Sequence, residues 1–161
     1  MDFDGGTGAV FERIGREATT LIRNQLFTVT AFDAETMQVQ RVHSSNPAAY
    51  PVGGRKPKRD TKFGHQVLID GQPLICEGDA AIAGIFDDHA TIHRLGLHSS
   101  INAPVLIAGR CIGVLNFLMP SERVTAEQLR AACALASDPG VIAALASMGR
   151  FDGRPACAIS G

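Results

Sequence analysis

Between Ser99 and Leu118 the chain reads SSINAPVLIAGRCIGVLNFL, two apolar arms about an Ala108-Gly109-Arg110 turn. Gly109 supplies the positive φ that a tight hairpin needs. Ile101, Ala103, Val105 and Ile107 fall on one face of the first arm, with Pro104 and Leu106 on the other. Ile112, Val114 and Leu118 fall on one face of the second, with Cys111, Leu115 and Phe117 on the other. A strand that is apolar on both faces is covered on both faces. The hairpin therefore belongs in the middle of a sheet, and the rest of the chain must supply a layer for each side. Asn102 and Asn116 are its polar interruptions. Pro104 cannot donate to a ladder and is expected at a bulge or beside a gap.

The flanking segments can supply those layers. Residues 8–25 carry Val10, Phe11, Ile14, Ala18, Leu21 and Ile22 at helical spacing, with Thr7 as N-cap. Strands are expected over Leu26–Phe32 and Met37–His43. In the second, Met37, Val39 and Arg41 share one face, and Gln38, Gln40 and Val42 the other. Ser44–Asp60, SSNPAAYPVGGRKPKRD, reads as a long irregular loop because of its prolines and the Gly53-Gly54 pair. A short helix over Lys62–Ile69, a strand over Pro73–Cys76 and a helix over Ala80–Phe86 capped by Asp79 follow. Asp87–His98 reads as irregular. After the hairpin, Thr125 and Gln128 have capping-box spacing. Asp138-Pro139 ends one helix and starts the next.

The chain has 161 residues and a formal net charge of −1, so a basic nucleic-acid surface is not expected. No apolar run approaches the roughly 18 residues of a membrane span. The four cysteines, Cys76, Cys111, Cys133 and Cys157, include no Cys-x-x-Cys pair and read as free thiols of a reducing cytoplasm.

The hairpin also carries a resemblance. Pro104-Val105, Gly109 and Gly113-Val114-Leu115 resemble the last two core strands of a GAF domain. Arg41-Val42-His43-Ser44-Ser45-Asn46-Pro47 and Tyr50-Pro51-Val52-Gly53-Gly54-Arg55-Lys56-Pro57 resemble small stand-alone bacterial members. The resemblance covers residues 8–148, between a flexible N-terminus at 1–7 and a loose tail at 149–161. It implies an α/β (α+β) fold. An antiparallel sheet of five or six strands carries the terminal helices on one face and the crossover loops and short helices on the other. It also implies a sensor or regulatory module with its ligand between the sheet and residues 44–98, acting in signal transduction without a cofactor.

The expected ligand wall is Arg41, His43, Ser44, Ser45, Tyr50 and Arg55, joined by Phe63, Asp88, His89, His98, Ser99 and Asn102. Cations, hydroxyls and imidazoles outnumber carboxylates in this set, which suits a small anionic ligand, with Arg55 as the anion-gripping fork and Lys58 as a bystander. The competing reading of each residue is a loop tie or turn cap. His89 and His93 stand four apart beside Asp88, a metal-compatible spacing on a helix. The segment lacks a helical pattern and a third ligand, so no metal is assigned. No nucleophile motif is present, and no catalytic residue is assigned. Two further classes stand beside the sensor. One is a small redox enzyme resembling the free methionine sulfoxide reductases, although residues 77–110 lack the cysteine which that resemblance requires. The other is an interaction module with a vestigial pocket. With no output domain after the last helix, signalling is expected through a partner or a homodimer. Phe11, Ile14, Ile142 and Met148 suggest a twofold contact through the terminal helices.

Overall fold

A computed structural model describes residues 3–148. The expected loose tail at 149–161, with Cys157, lies outside the described residues. The elements are α1 (Phe3–Leu21), β1 (Leu26–Asp33), β2 (Gln38–Ser44), β3 (Arg55–Pro57), a π-helical turn (Gly64–Ile69), β4 (Leu74–Glu77), α2 (Asp79–Ile85), α3 (His89–Arg94), β5 (Ser99–Ile107), β6 (Arg110–Met119), α4 (Ala126–Ala136) and α5 (Pro139–Ser147). The strands form one antiparallel sheet in the order β3-β2-β1-β6-β5-β4. The hairpin β5–β6 is central, as its two-sided apolarity requires. Its turn takes positive φ at Ala108 (51°) as well as Gly109 (79°), the two-residue geometry that matches strand twist.

Helices α1, α4 and α5 cover one face. Phe27, Val29 and Ala31 of β1, Ile101, Ala103 and Val105 of β5, and Leu115, Phe117 and Met119 of β6 form a single core with them. Three polar ties set the helices. Thr125 Oγ1 accepts from the Gln128 amide at 3.0 Å while Gln128 Oε1 accepts from the Thr125 amide at 2.9 Å, so the capping box forms. The Gln128 side-chain amide then donates to the Ile22 carbonyl at the end of α1 at 2.6 Å. Asp138 caps α5 through the Gly140 and Val141 amides and meets Arg13 of α1 at 2.9 Å. The π-helical turn, α2 and α3 cover the other face around Phe63, Val67, Leu68, Ile82, Ile92 and Leu97.

Several sequence expectations are corrected. Helix α1 starts at Phe3, so Thr7 lies inside it rather than capping it. Asp79 is the first residue of α2, after Gly78, and its side chain caps nothing. Residues 89–94, expected irregular, form α3. The 44–60 loop contains β3, paired with β2. Of the residues expected at a twofold contact, Phe11 and Ile14 are fully buried, and Ile142 and Met148 are partly buried against the same core. No single helix among the described residues is long and apolar enough to cross a membrane.

Candidate functional site

The loop-covered face is not closed evenly. Above β1, β2 and β6 it opens into a cleft with about 570 Å³ of empty space, its mouth included. The floor comes from strand residues that alternate onto this side: Leu26, Thr28 and Thr30 of β1, Val39 and Arg41 of β2, and Asn116 and Leu118 of β6. Asn116 anchors that floor. Its amide nitrogen donates to Thr28 Oγ1 at 3.2 Å, and its carbonyl oxygen accepts from the Asn102 side chain at 2.8 Å. A row of hydrogen-bonded polar side chains therefore crosses β5, β6 and β1 beneath the cleft.

The walls follow from local turns. The Asn46 carbonyl accepts from the Tyr50 amide at 2.8 Å, and its side chain accepts from the Ala49 amide. This turn folds Tyr50 back over β2, where the Arg41 guanidinium lies 4.9 Å from its ring centroid. Arg41 also donates to the Pro51 carbonyl at 3.1 Å. Further on, the Gly53 amide donates to the Arg41 carbonyl, and β3 then pairs Lys56 with Val39. That register turns Lys56 into the cleft and Arg55 to the opposite side of the strand. Next, Thr61 Oγ1 donates to the Lys58 carbonyl and accepts from the Gly64 amide. A Cβ on Gly64 would stand 2.1 Å from that carbonyl, so only glycine fits this turn. It sets Lys58 Nζ 5.0 Å over the Phe63 ring. Phe86, Asp88 and Ile92 close the roof.

The electrostatics of the cleft are lopsided. Arg41, Lys56 and Lys58 line it with a single carboxylate, Asp88. Burial, then repulsion from Lys56, holds the Lys58 ammonium below its ordinary pKa. Burial, followed by the neighbouring Asp88 carboxylate, raises the Tyr50 phenol. Thr30 Oγ1 and Arg41 Nε are buried without a protein hydrogen bond, and the buried Tyr50 Oη has only the Asp88 carboxylate beside it. Buried polar atoms are normally partnered, and here under-satisfied ones gather at one cleft.

Of the residues expected from sequence, Arg41, Tyr50, Phe63 and Asp88 meet in the cleft, and Asn102 joins through Asn116. The others do not. A bulge in β2 skips Val42, so Val29 pairs with His43 and Thr30 with Arg41. Past the bulge His43 lies on the helix side, with ring centroids 5.7 Å from Phe11 and 5.6 Å from Phe27. Burial there lowers its pKa, against the opposing pull of Glu12. Ser44 Oγ accepts from the Asn46 amide and Ser45 Oγ from the Phe27 amide, so both fasten the end of β2. Arg55 reaches Asp33 at 3.5 Å on the far side of β3. His89 faces a separate groove beside α2. His98 bonds Asp79 at 2.7 Å. Ser99 is buried at the start of β5, in register with Glu77 and Met119 and apart from the cleft.

Sequence reasoning missed Lys56, Lys58, Thr28, Thr30, Phe86 and Asn116. The alternation of Arg55, Lys56, Pro57 and Lys58 was the available signal. It acquires meaning only once β3 is recognised as a strand.

The described thiols are all disfavoured as thiolates. Burial raises Cys76 and Cys133, and pushes Cys111 up to about 11. Reactive cysteines show the opposite shift.

The family model for the GAF domain matches residues 9–140. The chain belongs to the GAF family. GAF domains are generally small-molecule-binding sensory or regulatory modules. The GAF fold is also that of the GAF domain of a two-component sensor histidine kinase from Bacillus halodurans, with a TM-score of 0.70, 12% identity, and 89% of this chain and 96% of that one covered. The GAF-B domain of DevS from Mycobacterium smegmatis gives a TM-score of 0.62 at 23% identity, covering 91% and 99%. The GAF domain of a phosphoenolpyruvate-protein phosphotransferase from Acinetobacter gives 0.63 at 10%, covering 94% and 95%. No curated protein matches the sequence.

Proposed function

We propose that this GAF domain senses a small anionic ligand held in the cleft between the sheet and the segments of residues 44–98. One observation carries this reading: Arg41, Lys56 and Lys58 converge on a cleft lined by one carboxylate, and burial, then Lys56, depresses the Lys58 pKa against the opposing pull of Asp87 and Asp88. Cations that repel one another across a partly dry cleft raise the energy of the empty domain. A carboxylate or phosphate between them removes that repulsion and makes charge-assisted hydrogen bonds. Phe63, Phe86 and Leu118 suit an apolar body behind the anionic head, and Asn116, Thr28 and Thr30 can orient it.

The test is a thermal-shift screen of small carboxylates, inorganic phosphate and phosphate esters. A ligand selective for the folded domain raises Tm. Lys58→Met and Lys56→Ala are each expected to weaken the best anion by about ten- to a hundredfold, the loss of one charge-assisted bond at about 1.5–3 kcal/mol. Arg55→Ala, on the other side of β3, is expected to leave affinity unchanged. Equal binding by Lys58→Met and the parent, or a loss confined to Arg55→Ala, overturns the reading.

A further inference from the structure

At the far end of the loop-covered face, three metal-capable side chains converge from three elements. Asp79 opens α2, His93 lies in the last turn of α3, and His98 immediately precedes β5. His98 Nδ1 is 2.7 Å from one Asp79 carboxylate oxygen, and His93 Nδ1 is 3.3 Å from the other. We propose that Asp79, His93 and His98 form a binding site for a borderline divalent transition-metal ion such as Zn²⁺, with one carboxylate oxygen and two imidazole nitrogens as ligands. This site is separate from the anion cleft and does not rest on that reading.

The distances fit the ion. Zinc–nitrogen and zinc–oxygen bonds of roughly 2.0–2.2 Å in a tetrahedron set neighbouring ligand atoms roughly 3.3 Å apart. One ligand atom from each of the three side chains lies within 4.8 Å of the other two; the His93–Asp79 separation of 3.3 Å is the tetrahedral value and the His98–Asp79 separation of 2.7 Å is shorter. Rotation of three side-chain tips closes the difference without moving the backbone. That backbone is fixed. The Gly78 amide donates to the His98 carbonyl and the His98 amide to the Met119 carbonyl, each at 2.8 Å. Asp79 and His98 are thus held side by side at the end of the β4–β5 ladder. His93 is positioned by the bonds from Gly96 to its own carbonyl and from Leu97 to the Ile92 carbonyl, with Ile92 and Leu97 buried beneath.

The side-chain arrangement also favours an ion over a plain hydrogen-bond tie. His98 Nδ1 occupies one Asp79 oxygen and His93 Nδ1 the other, so both imidazoles converge on one carboxylate. The His93 side chain is 65% exposed and could turn to water, yet it directs the same ring nitrogen to the same carboxylate. Two imidazoles and a carboxylate match the ligand softness of Zn²⁺ and its neighbours in the series. Three protein ligands leave a coordination position for water, and a groove lined by Ala80, Ala83 and His89 lies beside it.

The experiment uses the full chain, untagged and stripped with a chelator. Zn²⁺ is titrated by calorimetry and by thermal shift, and Co²⁺ is substituted as a spectroscopic probe. Expected are one ion per chain, a rise in Tm that chelator reverses, and a Co²⁺ spectrum free of thiolate charge transfer. His93→Ala and His98→Ala are each expected to weaken binding by about a hundredfold or more, because loss of an outer partner alone costs about ten- to a hundredfold. His65→Ala, an exposed histidine on the π-helical turn, is the control and is expected to bind like the parent. If His98→Ala disturbs folding, the largely exposed His93→Ala still decides. Absence of stoichiometric binding, undiminished binding by His93→Ala, or a thiolate band assigning the ion to the cysteines overturns the proposal.

Discussion

The two faces of the sheet are built from the same strands and behave as different materials. On the helix side, Phe27, Val29 and Ala31, Leu115, Phe117 and Met119, and Ile101, Ala103 and Val105 present an unbroken apolar surface, and α1, α4 and α5 close it. On the loop side, one residue out of register, the same strands present Thr28 and Thr30, Asn116, and Ser100 and Asn102 among their apolar neighbours. The helix side has what a stable core needs. The loop side carries buried hydroxyls, an amide row and repelling cations, features that cost stability unless something else requires them. The difference teaches where to look for function. A face that breaks the rules of core composition, while its reverse keeps them, is under a constraint other than folding.

The strongest way to break that comparison is to truncate one aromatic on each side. Phe117 is fully buried and stacks on Phe27 with ring centroids 5.1 Å apart. Phe117→Ala is expected to cost about 3–5 kcal/mol in urea denaturation. On the loop side, Tyr50→Phe removes a buried hydroxyl whose contact is with Asp88 at the cleft rather than with the core. It is expected to be neutral or slightly stabilising while altering ligand affinity. A Tyr50→Phe loss of several kcal/mol would mean that the cleft is part of the structural core.

The polar row gives an intermediate effect. Asn116 joins Thr28 and Asn102 under the cleft floor. Asn116→Ala strands both partners and is expected to cost about 1–3 kcal/mol. The double variant with Asn102→Ala should cost less than the sum of the singles, since the second change removes a group already stranded. Additive losses would show that the three side chains do not act as one network.

How far the sequence was legible follows the same division. The helix-side layer was readable because period and polarity agree: hairpin, capping box, Asp138 cap and helix-facing stripe all reappear in the structure. The loop side was readable only up to its bulges. In β2 the skipped Val42 reverses parity, so His43 leaves the face of Arg41. In β6 the skipped Ile112 does the same: Cys111 pairs with Leu106 and packs on the loop side, away from Leu115 and Phe117, while Ile112 joins the helix-side core. A bulge has no sequence period of its own, because it depends on how two strands with different twist are matched. Arg55 was misassigned for a related reason. Read as a loop, Arg55-Lys56-Pro57-Lys58-Arg59 offers its most versatile cation. Read as a strand edge, it sends alternate residues to opposite faces, and Lys56 rather than Arg55 enters the cleft. The Asp79, His93 and His98 cluster was illegible in another way, since residues 14 and 5 positions apart meet only through the crossover between β4 and β5.

A charge removed from the cleft sharpens the comparison most, because its expected sign is opposite to that of a core substitution. Burial and Lys56 hold the Lys58 pKa down. Well below that depressed value, Lys58 is protonated in both the folded and unfolded chains, and the native state bears the full cost of a desolvated, repelled cation. As pH rises past the folded value toward the ordinary lysine value of about 10.4, the folded chain releases its proton first and the cost disappears. Lys58→Met removes the charge at every pH. Met also keeps a contact with the Phe63 ring, worth about 0.3–1.5 kcal/mol, in place of a cation–π contact of about 0.5–1 kcal/mol, so the ring contribution nearly cancels. Lys58→Met is therefore expected to stabilise the free domain at pH 7 by about 0.5–2 kcal/mol, the usual scale for relieving a functional compromise. The gap to the parent should narrow as denaturation is repeated up to pH 10. Groups remote from Lys58 titrate alike in both chains and drop out of the difference. A gap independent of pH would mean that the fold does not perturb the ammonium, and a parent more stable than Lys58→Met at pH 7 would mean that the lysine is paired within the fold rather than kept for an anion.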